Sequence, residues 1–129
     1  MKMNLYRRAA GKSGSGFSLV ELMIVVSVLG LLAAIAIPNF VKSRDTSQLR
    51  SIYNNLRVID AAKDQWALEN KKGTGDATSM LLLTEYIKGG EIKTVVNETY
   101  TTSDMGTLPF AVCPTRLGTY SPGDPITAP

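Results

Sequence analysis

The sequence has no histidine and a single cysteine, Cys113, in 129 residues. Without imidazole, no ordinary side chain changes charge near neutral pH, so the commonest acid/base catalyst is missing. Zinc sites built from Cys and His are excluded for the same reason, and one cysteine cannot form an internal disulfide. No strong excess of one charge is present either: 14 Lys and Arg stand against 11 Asp and Glu, a net charge of +3. The first 16 residues hold Lys2, Arg7, Arg8 and Lys12 and no acid, so residues 17–129 sum to −1. A nucleic-acid surface needs a basic folded body, whereas here a basic tail precedes a nearly neutral one, and no specific nucleic-acid partner is expected. With 44% hydrophobic residues and a mean hydropathy of +0.04, the chain is no disordered tract, and its length suits one small domain.

What the sequence does contain is one long uncharged run. Residues 22–37, LMIVVSVLGLLAAIAI, are almost wholly apolar. With Phe17 to Glu21 ahead and Phe40 and Val41 behind, they approach the ~20 residues that cross a bilayer. Four cations precede the run, while Lys42 and Arg44 follow it beside Asp45. The positive-inside bias therefore puts the N-terminus in the cytoplasm and everything after Phe40 outside.

From Asn39 to about Asn70 the pattern becomes that of an amphipathic helix, with Leu49, Ile52, Leu56, Ile59 and Trp66 at three- and four-residue steps. Ala61 and Ala62 help to fill that face where Lys63 interrupts it, and Arg50, Arg57, Asp60 and Asp64 read as its wet side. Lys71, Lys72 and Gly73 supply a C-terminal stop. A helix from Phe17 to Asn70 would be ~80 Å long at ~1.5 Å per residue, a rod that makes sense where it meets other rods.

The rest reads as a small polar head. Asp76 is placed to cap a short helix through Ile87, ended by Gly89 and Gly90. Strands are expected at 92–96, 98–102, 109–113 and 118–121, forming an antiparallel sheet with Phe110, Val112 and Tyr120 completing it. Five of the six prolines fall at or after Pro109, so a loop-dominated end is expected. The fold class is α+β: a long N-terminal helix, membrane-spanning and then amphipathic, with a C-terminal head of a short helix and antiparallel strands. The expected divisions are 1–16, 17–41, 42–72 and 73–129.

Three N-terminal signals compete. Ala34-Ile35-Ala36 is a candidate secretory cleavage site after an apolar run, and a plain signal anchor is the second reading. The third rests on Gly16, Phe17, Glu21, Gly30, Pro38 and Phe40 in GFSLVELMIVVSVLGLLAAIAIPNF. This stretch resembles the start of type IV pilins and type II secretion pseudopilins. The resemblance implies that a membrane prepilin peptidase cuts after Gly16 and methylates the new N-terminus at Phe17, leaving residues 1–16 as a leader. It further implies a homopolymeric filament, fed through an inner-membrane assembly platform from a membrane-anchored pool. The product would be a surface filament or a periplasmic pseudopilus, with no cofactor, no metal and no catalytic residue.

Glu21 separates these readings physically. A carboxylate in a membrane helix costs on the order of 2.5 kcal/mol toward the bilayer centre, and a simple anchor has no use for it. Cleavage after Gly16 would free an α-amine on Phe17. By the resemblance, Glu21 of an incoming subunit pairs with that amine of a neighbour, as a registration device more than a source of stability. Gly30 and Pro38 are the helix's weak points, at ~1 and ~3 kcal/mol relative to alanine, and a kink is expected near Pro38. The resemblance implies that this interval loosens in a packed filament.

Other features are weaker. Asp60 and Asp64, with Arg57 and Lys63 beside them, read as a solvated charge network. The Asn97-Glu98-Thr99 sequon is assigned no role, and Cys113 reads as a buried small side chain, with an intermolecular disulfide partner as the alternative. The chain departs from the resembled family in lacking a C-terminal cysteine pair. It also lacks an obvious acidic cluster like the calcium site of major pseudopilins, which inclines the reading toward a pilus-type subunit. A secretion pseudopilin is the alternative, and a monomeric membrane-anchored binding module a further one.

Overall fold

The computed structural model describes residues 16–129. Lys2, Arg7, Arg8 and Lys12 lie outside the described residues. One helix, α1, runs from Leu19 to Asn70 and includes Gly30 and Pro38. The chain divides into two units between Ile37 and Pro38.

In the first unit the described part of α1 buries nothing. Phe17, Leu19, Ile24, Leu31 and Ile37 are all more than half exposed, and this is the part of the chain long and apolar enough to cross a membrane. Its one internal hydroxyl is satisfied within the helix, since Ser27 Oγ donates to the Met23 carbonyl at 2.7 Å.

The second unit, Pro38–Pro129, holds the core. The three- and four-residue spacing of Ile52, Leu56, Ile59 and Trp66 puts them on one buried face of α1. A second short helix, α2, spans Met80–Leu83 and continues as a 3₁₀ turn over Thr84–Tyr86. Three antiparallel strands follow in the order β1 (Thr99–Thr101), β2 (Phe110–Val112) and β3 (Pro125–Thr127), with Ala111 between Tyr100 and Ile126. Ile52 and Leu56 pack with Ala111, Cys113, Leu117 and Ile126. Further along α1, Ile59, Ala62, Trp66 and Ala67 pack with Leu83 and Ile87. Cys113 is buried, the first of the two readings given for it.

Several local expectations are corrected. The short helix begins at Met80, not Asp76, because the Asp76 carboxylate accepts from the Gly73 N–H at 2.9 Å and closes a turn instead. Residues 92–96 form no strand, and 118–121 is the far side of a tight turn in which Leu117 and Tyr120 exchange backbone hydrogen bonds at 3.0 and 3.1 Å. The third strand lies in the proline-rich end. Pro125 opens it on the sheet edge, where a missing N–H costs no ladder bond. The pleat turns Ala111 and Ile126 inward, so Phe110 and Val112 are only half-buried. Ala61 is exposed and Ala62 buried.

α1 stops where expected, but by another residue. Lys71, at φ 51°, takes the left-handed position, and the Lys72 N–H closes onto the Ala67 carbonyl at 2.9 Å. This six-residue closure satisfies a carbonyl that the helix leaves open, and Gly73 falls one residue beyond it.

Candidate functional site

The sequence-predicted positions lie along the start of α1. Gly16 and Phe17 immediately precede the helix and are exposed, and Glu21 is the acid of its first turn, also exposed. A carboxylate there faces the positive end of the helix dipole. Gly30 has open space where a Cβ would stand. Pro38 lines a groove of about 590 Å³ in the second unit, with Val41, Thr46, Leu49 and Gly118. Among the described residues, Glu21 and Gly30 follow one another along the exposed first part of α1, just after Gly16 and Phe17.

Two buried charged groups that sequence reasoning missed hold the head in shape. Lys63 is 1% exposed, not part of a solvated network. Its ammonium donates to the carbonyls of Thr102, Asp104 and Thr107 at 2.9, 3.1 and 2.6 Å, pinning the 102–107 loop to α1. Burial pushes its pKa down, against the pull of Asp60, Asp64 and Asp104. The signal was available in the sequence, since position 63 falls on the helix face shared by Ile52, Leu56 and Ile59. A lysine there must bring its charge to acceptors.

Glu98 is 3% exposed. The Val95 N–H reaches both carboxylate oxygens at 2.9 Å, the Val96 N–H donates at 2.8 Å, and the Tyr100 hydroxyl donates as well. Tyr100 Oη in turn accepts from Asn55 Nδ2 of α1 at 2.8 Å, and the same amide donates to the Lys93 carbonyl at 3.0 Å. Burial pushes the Glu98 carboxyl up, but the hydrogen bonds from Tyr100, Val96 and Val95 outweigh it and hold the group below the ordinary glutamate value. Burial and Glu98 together push the Tyr100 hydroxyl well above its usual range, and burial raises the Cys113 thiol. Both networks serve architecture. Among the described residues no group of three or more His, Cys, Asp or Glu is placed to hold a metal.

Comparison with known proteins points to the N-terminal segment. A family model described as the prokaryotic N-terminal methylation motif matches residues 12–37. The chain is similar to the type IV major pilin protein PilA of Myxococcus xanthus, 44% identical over 57 residues, which is 44% of this chain and 26% of that protein. It is similar to the type II secretion system core protein G of Pseudomonas aeruginosa, 38% identical over 56 residues, covering 43% of this chain and 39% of that one. A fimbrial protein of Pseudomonas aeruginosa is 37% identical over 67 residues, 52% of this chain and 44% of its own. The chain thus spans less than half the length of these relatives, and no solved structure matches it. This is a protein that carries the prokaryotic N-terminal methylation motif of prepilins, with type IV pilins and type II secretion pseudopilins as its relatives.

Proposed function

We propose that this chain is the structural subunit of a helical filament of the type IV pilus kind, polymerised from a membrane-anchored pool. One observation carries the reading: a membrane-length apolar helix segment with every described side chain exposed, directly continuous with a methylation motif. Such a segment needs lipid before assembly and other copies of itself afterwards. The head needs neither, because its apolar face is already closed on Ile52, Leu56, Ile59 and Trp66.

In this reading residues 1–16 are a leader, and a prepilin peptidase and methyltransferase acts between Gly16 and Phe17. Residues 17–41 are the span, 42–72 the amphipathic continuation and 73–129 the head. The N-terminus faces the cytoplasm. Glu21 pairs with the freed amine of Phe17 on a neighbouring copy as the subunit leaves the assembly platform. Two unlike charges in an apolar bundle neutralise each other only when correctly placed, so the pair sets register where aliphatic packing alone would slide. Gly30 and Pro38 bound the interval in which the helix can loosen once other chains surround it.

A second reading has an observation of its own, since relatives include core protein G of type II secretion. There the filament would be short and periplasmic and would act in protein export. Electron microscopy of sheared surface material from overproducing cells, paired with the secreted proteins of a deletion strain, separates the two. Surface filaments with normal export are expected; loss of an exported enzyme without surface filaments would replace the pilus reading by the secretion one.

A further inference from the structure

The groove beside Pro38 is apolar along its walls and carries two unlike charges. Its volume of about 590 Å³ falls within the ~300–1,000 Å³ that small ligands occupy. One wall is α1, with Pro38, Val41 and Leu49, and the other is the tight turn at Gly118 and Thr119. Gly118, at φ 59°, comes so close to α1 that a Cβ on it would stand 3.1 Å from Leu49 Cδ1. The turn therefore meets the helix at Leu49, and the groove runs from there back along α1 to Val41 and Pro38, the lining residues nearest in sequence to the apolar run.

Lys42 and Asp45 also line this groove. Lys42 is exposed and Asp45 half-buried. At i and i+3 they are neighbours on the helix surface, close enough to pair, yet among the described residues neither forms an ion pair. The groove thus combines apolar walls with a cation and, ~4.5 Å further along the axis at ~1.5 Å per residue, a carboxylate.

We propose that this groove binds the headgroup of a zwitterionic phospholipid with a primary amine, phosphatidylethanolamine: its phosphate on the Lys42 ammonium, its ammonium on the Asp45 carboxylate, and the start of an acyl chain against Val41 and Pro38. The proposal rests on the membrane-anchored pool of the filament reading, in which residues 17–41 are the span and Lys42 is the first residue beyond it. Order along the axis carries the choice of lipid. Leaving the bilayer, an ethanolamine lipid presents acyl chain, phosphate and then ammonium, and α1 presents apolar residues, a cation and then an acid. Phosphatidylglycerol has no cation for Asp45, and the choline of phosphatidylcholine has no N–H to donate to it. Exposed charge pairs are individually weak, so the groove selects among lipids already around the span and does not recruit one from solution.

The test places the full chain in phosphatidylcholine vesicles with and without phosphatidylethanolamine and adds a water-soluble carbodiimide, which joins a carboxylate to an amine in direct contact as an amide. Peptide mass spectrometry should find the lipid amine on Asp45 at least five-fold more often than on Asp60 or Asp64, and only where phosphatidylethanolamine is present. Thr119→Phe fills the groove from an exposed position and changes neither charge; it should lower the Asp45 yield at least five-fold, as should Lys42→Gln. An unmoved thermal transition of Trp66 fluorescence shows that the head of each variant is folded, and Lys42→Gln, at an exposed site, keeps the test decisive if Thr119→Phe is not. An unlabelled Asp45, or one labelled as in wild type in a folded variant, overturns the proposal and leaves the membrane anchor intact. Coupling of Asp45 to a lysine of a second copy, seen as a dimer, gives the groove to another subunit and also overturns it. A chain that does not co-float with the vesicles removes the membrane anchor and the proposal together.

Discussion

Replacing Lys63 by methionine tests the claim that a buried ammonium holds the head together. The change keeps a long flexible side chain on the buried face of α1 and removes three hydrogen bonds, to the carbonyls of Thr102, Asp104 and Thr107. A carbonyl left buried without a donor costs ~1–3 kcal/mol. The Thr102 contact is buried and the other two are partly so, which lets water replace part of what they lose. Against this, methionine does not have to be stripped of a charged group's hydration, which returns some of the loss. The net expectation is ~2–3 kcal/mol. For a folded unit the size of Pro38–Pro129, at ~4–8 °C per kcal/mol, the melting temperature should fall by about 10–20 °C. Trp66, the chain's one tryptophan and itself buried, sits one turn from Lys63 and reports the transition by fluorescence in detergent micelles. Lys42→Met, at an exposed position, should shift the melt by no more than about 4 °C, because surface changes rarely exceed ~0.5 kcal/mol. A Lys63→Met protein that melts within about 3 °C of wild type would mean that water satisfies the 102–107 loop and that the lysine is a bystander.

Lys71→Gly should stabilise the same unit by ~1 kcal/mol, since a β-carbon is strained at φ 51° and glycine is not, and a raised melting temperature checks it. Because the folded pKa of Glu98 lies below its unfolded value, its contribution is fully present above about pH 5 and is lost as the pH falls through the lowered folded value. Melts from pH 7 to pH 3 should show that loss in wild type, and Glu98→Gln should be less stable at pH 7 but flatter in acid. Glu21→Leu should be inserted and cleaved normally, since the span becomes more apolar, but should enter filaments poorly; immunoblots of membrane and sheared fractions measure both, and wild-type filament yield would deny the carboxylate a registering role.

The long helix and the head's class were legible because they rest on patterns with a strong period: an uncharged apolar run, then Ile52, Leu56, Ile59 and Trp66 on one helix face. The strands were less so. Each is three residues long, too short for alternation to show, and β3 hides in a proline-rich tail where Pro125 is tolerated only because it opens an edge. Lys63 was misread because a charged residue is assigned to water by default, although its position on the apolar face argued otherwise. Glu98 offered no such hint. Its four hydrogen bonds come from Val95, Val96 and Tyr100, within three residues of it, but only the left-handed turn at Asn97 bends the chain so that they converge. The positions the motif singled out, Gly16, Phe17, Glu21, Gly30 and Pro38, form no cluster in one chain. In the proposed filament neighbouring copies complete that site, which would leave its mark in sequence and little in a monomer's geometry.

The intact mass of the subunit in filaments sheared from the cell surface tests the central claim most directly. The account predicts a chain beginning at Phe17, one methyl group heavier than the unmodified product and lacking Lys2, Arg7, Arg8 and Lys12. A subunit that begins at Ile37, as secretory cleavage would give, or one that retains the first 16 residues, would contradict it.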